Sequence, residues 1–172
     1  MDDKRYLLKH FLAALAYRTQ KALRGASEEF GDFRAAEGVR TPSELVRHMT
    51  SVLGYARTFF IGGTYRPEPL ASLSDEIERF HETLELLGHE LDTADSMPNN
   101  LSAEQILQGP LSDVMTHAGQ LAMLRRLAGV PVPPENFIYA KVNAERLGKD
   151  QAESASPDKI WNEAPAGWTP PE

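Results

Sequence analysis

Apolar residues recur at alternating spacings of three and four in four segments, and this periodicity constrains the fold more than any other feature of the sequence. The clearest series consists of Leu73, Ile77, Phe80, Leu84, Leu87 and Leu91. Such spacing collects apolar side chains on one face of an α-helix, whereas a half-buried strand alternates at every second residue. No segment shows convincing strand alternation, so the sequence predicts an all-α fold.

The first two predicted helices have well-defined limits. The first extends from Asp3 to Leu23 and carries its apolar stripe on Leu8, Leu12, Leu15 and Ala22. The second begins at the sequence TPSE, where Thr41 is the expected N-cap, Pro42 lies in the first turn and Glu44 completes a capping box. Its predicted stripe consists of Leu45, His48, Val52, Tyr55 and Phe59.

The fourth predicted helix begins near Pro110 and ends at Gly129, because glycine and the following Pro131 favour termination. Its stripe consists of Val114, His117, Leu121, Leu124 and Ala128. Four amphipathic helices of this length are typical of a four-helix bundle. The connections over residues 24–40 and 61–72 exceed the roughly 2–8 residues usual between bundle helices. We therefore predict a four-helix bundle with long crossover connections.

The composition changes after the fourth helix. The remaining segment is rich in proline and holds both tryptophans, Trp161 and Trp168. We divide the chain into a bundle domain, residues 1–142, and a C-terminal extension, residues 143–172. The tryptophans are the expected anchors of this extension, either on the bundle or on a partner subunit. An extension anchored on a partner subunit would join two chains, and we predict a homodimer.

Composition and charge exclude several kinds of site and partner. The chain has no cysteine, which excludes disulfides, thiolate zinc sites and cysteine nucleophiles. Its formal charge of −7 argues against a general nucleic-acid binder, which needs a concentrated basic surface. The charged N-terminal helix is unlike a signal peptide, and no segment is long and apolar enough to cross a bilayer. We expect a cytoplasmic protein that binds neither nucleic acid nor membranes.

Two histidines, His48 and His117, interrupt the apolar stripes of the second and fourth helices. Asp113 precedes His117 by one helical turn, so both side chains can reach one ion from the same helix. Two histidines and one carboxylate form a common set of ligands for divalent metals. Two simpler interpretations remain. The histidines could be core residues whose ring nitrogens are hydrogen-bonded. Asp113 could lie in the first turn of its helix because an acidic group there interacts favourably with the helix dipole.

The other histidines give weaker signals. We expect His10, His81 and His89 to lie on solvated helix faces, as partly exposed histidines commonly do. His81 is the best reserve ligand because it borders the apolar face of its helix. The hydroxyl of Tyr55 is a further candidate for the interior. The sequence contains no glycine-rich phosphate loop, nucleophile elbow or catalytic triad pattern.

The segments PSELVRHMTSVLGYARTF and THAGQLAMLRRLAGVPVP resemble the DinB/YfiT-like metalloenzyme family, with the His-x-Gly-Gln step at His117 to Gln120. The resemblance extends from the first helix to the region of Tyr139, and it implies a four-helix bundle with long crossovers. The usual site of that family is a histidine triad. His48 and His117 match its first and last positions, and Asp113 stands at the middle one.

The resemblance also implies a function. Some family members are transferases or isomerases that use low-molecular-weight thiols such as mycothiol or bacillithiol, and there the ion lowers the thiol pKa. For this chain we expect a divalent transition metal, with zinc, nickel, iron and manganese all compatible with the ligands. A thiol-dependent enzyme or a hydrolase acting on a small substrate is the first hypothesis. The alternative is a non-catalytic metal- or ligand-binding protein, or a dimeric scaffold with a degenerate site.

Overall fold

A computed structural model of the protein describes residues 2–98, 101–155 and 166–167. Its α-helices are α1 (Asp3–Leu23), α2 (Pro42–Ile61), α3 (Leu73–Thr93), α4 (Ala103–Ile106) and α5 (Ser112–Leu127). Single 3-10 turns cover Glu28–Asp32 and Phe137–Tyr139. No β-strand occurs in the described ranges, and the prediction of an all-α fold is confirmed. None of the described helices is long and apolar enough to cross a membrane.

The four long helices form a bundle in which α1 and α2 each pack against both α3 and α5. The guanidinium of Arg5, near the start of α1, donates a hydrogen bond to the carbonyl of Ala94, just after α3. These two helices are therefore antiparallel. Arg125, in the last turn of α5, donates to the carbonyl of Arg24 at the end of α1 over 3.3 Å. Helices α1 and α5 consequently run in the same direction.

Helices α2 and α3 are parallel neighbours. Arg47 lies 3.6 Å from Glu76 near their N-terminal ends, and Arg57 lies 2.9 Å from Glu90 near their C-terminal ends. Two adjacent parallel helices need a connection that returns along the length of the bundle. Residues 62–72 provide it, so the structure contains the long crossover that the sequence predicts.

The crossover is held against α2 and α3 by specific contacts. The ring of Tyr65 fills a notch at Gly54, where an added Cβ would lie 2.0 Å from the ring. Further along, the backbone N–H of Leu70 donates to Oε1 of Glu76 over 2.9 Å. The side chain of Glu76 is 1% exposed and also contacts Arg47, so it joins the crossover to both helices. These contacts fix the position of residues 62–72.

The N-terminus of α2 matches the prediction, but its buried face does not. Thr41 accepts a hydrogen bond from the backbone of Glu44, whose carboxylate accepts one from the backbone of Thr41. The predicted stripe is wrong at Tyr55, which is 56% exposed, and at Phe59, which is 37% exposed. The Tyr55 hydroxyl is therefore not in the interior. The buried apolar face consists of Leu45, Val46, Met49, Leu53 and Ala56. Both series have helical spacing, and only contacts with α3 and α5 select between them.

The last long helix, α5, begins at Ser112, close to the predicted start near Pro110, but a helical path that was not predicted precedes it. The helical path begins at Ala103, after a capping box between Ser102 and Gln105. A π-helical turn over Leu107–Leu111 contains the proline and joins α4 to α5. Proline lacks a backbone N–H and clashes with the preceding turn, and the wider π turn accommodates it without ending the helix. The backbone stays in the right-handed helical region at Ile106, Leu107, Leu111 and Ser112.

The described residues after α5 lie against the bundle. Leu147 packs over Gly88 of α3, where an added Cβ would lie 2.3 Å from the leucine side chain. Glu145 forms an ion pair with the buried Lys9 of α1 over 2.7 Å. These contacts place part of the segment 143–155 on α1 and α3.

The proposed anchors, Trp161 and Trp168, lie outside the described residues. Their packing therefore stays a prediction, as does the division of the chain at residue 142.

Candidate metal centre

The packing of α2 against α5 brings His48 and His117 together. His48 lies in the second turn of α2, and His117 lies in α5 one turn after Asp113. The two imidazole rings meet edge to face, with their centroids 4.8 Å apart and an interplanar angle of 79°. All three residues predicted as ligands thus lie at one place between two helices.

Asp113 lies within reach of both imidazoles. Its Oδ1 is 3.4 Å from Nε2 of His117, and its Oδ2 is 3.8 Å from Nε2 of His48. One candidate ligand atom from each residue lies within 4.8 Å of the other two. Ligand atoms about 2.0–2.2 Å from a tetrahedral zinc ion are roughly 3.3–3.6 Å apart. The group could therefore hold a metal ion after small side-chain rotations.

The three side chains differ in exposure. The side chain of His117 is 10% exposed, that of His48 is 31% exposed and that of Asp113 is 48% exposed. The histidine on α5 is thus fixed within the bundle, while the carboxylate faces outward. An ion bound by the three residues would remain reachable from solvent, which suits a site that exchanges water for a substrate.

Gln120 orients His117 from the next turn of α5. Its Oε1 lies 2.8 Å from Nδ1 of His117, so the amide oxygen accepts the Nδ1 hydrogen. The lone pair of the neutral imidazole is then on Nε2, the atom nearest Asp113. Gln120 was not predicted as a partner of His117, although its three-residue spacing from this histidine is a usable signal in the sequence.

The surroundings of His48 favour the neutral form of its imidazole. Burial lowers the pKa of His48, and electrostatic interactions with Arg40 and His117 act in the same direction. Asp113 opposes the shift but does not reverse it. A neutral imidazole has a free lone pair, as a metal ligand requires.

The dipole explanation for Asp113 does not fit the helical path. The backbone is already helical before this residue, from α4 through the π turn, and no side chain caps the start of α5. Asp113 therefore does not lie next to a free helix N-terminus, and its position beside two imidazoles accounts better for an acidic side chain there.

The structure places the other histidines elsewhere. The expectation of a solvated His81 is wrong, because the residue is 2% exposed. Its Nδ1 lies 2.8 Å from the carbonyl oxygen of Leu147, and burial lowers its pKa. Across the described parts of the chain, only His48, Asp113 and His117 form a group of three potential ligands. His81, His10 and His89 are not members of it.

A cleft of about 510 Å³ adjoins the candidate metal centre and includes His48 in its wall. Guanidinium groups dominate its lining: Arg34, Arg40, Arg47 and Arg66. Glu44 is its single carboxylate. This arginine cluster was not predicted from the sequence, because its members come from two loops and one helix and form no motif.

No family model, curated protein or solved structure matches the chain. The resemblance to the DinB/YfiT-like family therefore stays a prediction from short sequence motifs.

Proposed function

We propose that the protein binds one divalent transition metal per chain through His48, Asp113 and His117, and that it is a metal-dependent enzyme of small substrates. The observation that carries this proposal is the convergence of three potential ligands from α2 and α5. The orientation of His117 by Gln120 adds a second line of support, because metal-binding histidines commonly use their other nitrogen in this way.

The donor set suits several metals. Two imidazole nitrogens and one carboxylate oxygen are compatible with zinc, nickel, iron or manganese, and they leave coordination positions free. A divalent ion there would act as a Lewis acid toward a thiol or carbonyl group of a substrate. The exposed side of the group and the adjoining cleft give such a substrate access to His48.

The reaction class rests on the resemblance alone. It favours a transferase or isomerase that uses a low-molecular-weight thiol, with hydrolysis as a further possibility. Small substrates fit the cleft, because its volume of about 510 Å³ is within the range of ordinary ligand pockets. The carboxylate of Asp113, where the family has histidine, makes the ligand set more negative by one charge.

The second candidate is a non-catalytic protein, in which the three residues form only an ion-paired cluster. One observation favours it: Asp113 already lies at ion-pair distance from both histidines. A protonated imidazole next to the carboxylate would satisfy these polar groups without a metal.

Elemental analysis after metal supplementation separates the two candidates. We expect about one ion per chain in the wild type and a large loss in His48→Ala, Asp113→Ala and His117→Ala. His89→Ala is the matched control, because His89 is exposed on α3 and outside the group. Wild-type protein without metal, or equal metal in all variants, would refute the proposed centre.

An assay of the metal-loaded protein then tests catalysis. Mycothiol and bacillithiol are offered with an electrophilic acceptor, and consumption of the thiol is measured against the His117→Ala variant. Turnover that requires His117 supports the transferase proposal. Full metal occupancy without turnover on thiol or hydrolytic substrates favours the non-catalytic candidate.

A further inference from the structure

The cleft beside the metal centre has the opposite charge to the chain as a whole. The protein carries a formal charge of −7, yet four arginines and one glutamate line this cleft. Guanidinium groups gathered around one concave surface repel one another and attract anions from solution. The arrangement therefore favours the binding of internal acidic partners or of an external anion.

Two of the arginines have internal partners. Arg34 donates to the carbonyl of Val39 over 2.8 Å and lies 3.6 Å from Glu44. Arg47 lies 3.6 Å from Glu76. The only carboxylate of the cleft, Glu44, is also occupied by the capping box at the start of α2. These contacts leave no acidic group in the cleft for the remaining arginines.

Arg40 and Arg66 have no such partner. Within residues 2–98, 101–155 and 166–167, neither side chain makes a hydrogen bond or an ion pair, and both residues are exposed. The two belong to different connections, residue 40 before α2 and residue 66 in the crossover. The fold thus brings two unpaired guanidinium groups from separate loops to one cleft.

The crossover holds the backbone around Arg66. The preceding residue, Tyr65, fills the notch at Gly54, and the backbone N–H of Leu70 donates to Glu76. The Cα of Arg66 therefore stays beside the cleft, and only its side chain loses freedom when an anion binds. Guanidinium groups are typical of sites that bind carboxylates and phosphates.

The cleft and the metal centre share one residue. His48 lines the cleft and is also a potential metal ligand. Arg40 is close enough to act on the charge of this histidine. A molecule in the cleft can therefore contact His48, one of the three potential ligands.

We propose that this cleft binds the oxyanion of a small ligand, a carboxylate or a phosphate, at Arg40 and Arg66. This inference deepens the proposed function, and it rests on that function for the role of the ligand as a substrate. Binding of the anion itself depends on the arginines and not on the metal. The ligand class is a small organic anion with a reactive group that extends toward His48.

The test uses the full-length, metal-free protein. Binding of succinate and of phenyl phosphate is measured by calorimetric titration at constant ionic strength. We expect at least one probe to bind to the wild type with a dissociation constant in the millimolar range or below, and the Arg40→Gln/Arg66→Gln variant to bind it at least tenfold more weakly. Which probe binds more tightly distinguishes a carboxylate ligand from a phosphate ligand.

A matched control removes two positive charges elsewhere. Lys141 and Arg146 are exposed and lie outside the cleft, so Lys141→Gln/Arg146→Gln should bind the probe as the wild type does. Equal weakening in the control would assign the effect to net charge and overturn the proposal. Wild-type protein that binds neither probe would overturn it as well.

Metal content separates this inference from the proposed function. The Arg40→Gln/Arg66→Gln variant should retain wild-type metal, because neither arginine belongs to the group of potential ligands. Wild-type protein that binds an anion but takes up no metal after supplementation would refute the metal centre and leave the anion site. Wild-type protein that takes up metal but binds neither probe would refute the anion site and leave the metal centre.

Discussion

Gln120 accepts the Nδ1 hydrogen of His117 over 2.8 Å, one turn further along the same helix. In the neutral imidazole this contact leaves the lone pair of His117 on Nε2. That atom lies 3.4 Å from Oδ1 of Asp113, the second residue of the candidate centre. The bond is local to α5, whereas the third potential ligand comes from α2. The candidate centre therefore combines two potential ligands on α5, of which Gln120 orients His117, with a third, His48, on α2.

Removal of the amide acceptor should weaken metal binding. We expect Gln120→Leu to reduce metal affinity about 10–100-fold, since loss of a partner that orients a histidine ligand has effects of this size. Gln120→Glu keeps an acceptor for the Nδ1 hydrogen and should retain most of the affinity. Competition with a chromophoric chelator measures both constants. Identical constants for Gln120→Leu and wild type would show that the contact does not orient a metal ligand.

Metal should stabilise the folded protein. The ligands come from two helices and converge only in the assembled bundle, so the ion binds the folded chain far better than the unfolded one. At a free metal concentration about 100 times the dissociation constant, we expect about 2.7 kcal/mol of added stability. Thermal unfolding with metal and with excess chelator measures the difference. Asp113→Ala should fold but lose most of the response to metal.

His81 should make the stability of the protein depend on pH. Burial lowers the pKa of this histidine in the folded state. As the pH falls below about 6.5, the unfolded chain takes up a proton at this residue before the folded chain does. The free energy of unfolding should therefore decrease with falling pH, by at most about 1.4 kcal/mol per pH unit from this group.

The comparison of His81→Gln with wild type isolates that contribution. Urea unfolding across this pH range should show a shallower loss of stability in His81→Gln, because its side chain does not titrate. His89→Gln is the control at an exposed position of the same helix and should keep the wild-type slope. Equal slopes for His81→Gln and wild type would contradict the prediction.

The notch at Gly54 should not tolerate a methyl group. An alanine Cβ would lie 2.0 Å from the ring of Tyr65, so the crossover must shift. We expect Gly54→Ala to lower the free energy of unfolding by about 1–3 kcal/mol, the usual cost of overpacking. Gly119→Ala is the matched control, because an added Cβ there meets nothing within 4 Å. As a helix-interior replacement it should be neutral or stabilising by up to about 1 kcal/mol.

The homodimer stays a prediction from the tryptophan-bearing C-terminal extension. Sedimentation velocity at micromolar concentration should give the mass of two chains. A variant that ends at residue 155 lacks both tryptophans and should sediment as a monomer if the extension joins the subunits. A monomeric full-length protein would rule out the predicted assembly.

The sequence by itself determined the class of fold and the limits of its clearest helices. Periodic apolar residues define α3, and the capping box of Thr41 and Glu44 defines the start of α2. These signals are local, because helix periodicity and caps involve residues within about one turn of each other. The pairing of His48 with the Asp113–His117 turn was also predicted, since each histidine interrupts an apolar stripe.

Only the tertiary structure decided which helix faces are buried and which loops meet. In α2, Tyr55 lies outside and Met49 inside, although both belong to series with helical spacing. His81 is buried because the distant Leu147 covers it. Arg40 and Arg66 belong to one cleft because the crossover returns along α2. Such contacts join residues far apart in the chain, and a pattern with the period of a single helix carries no information about them.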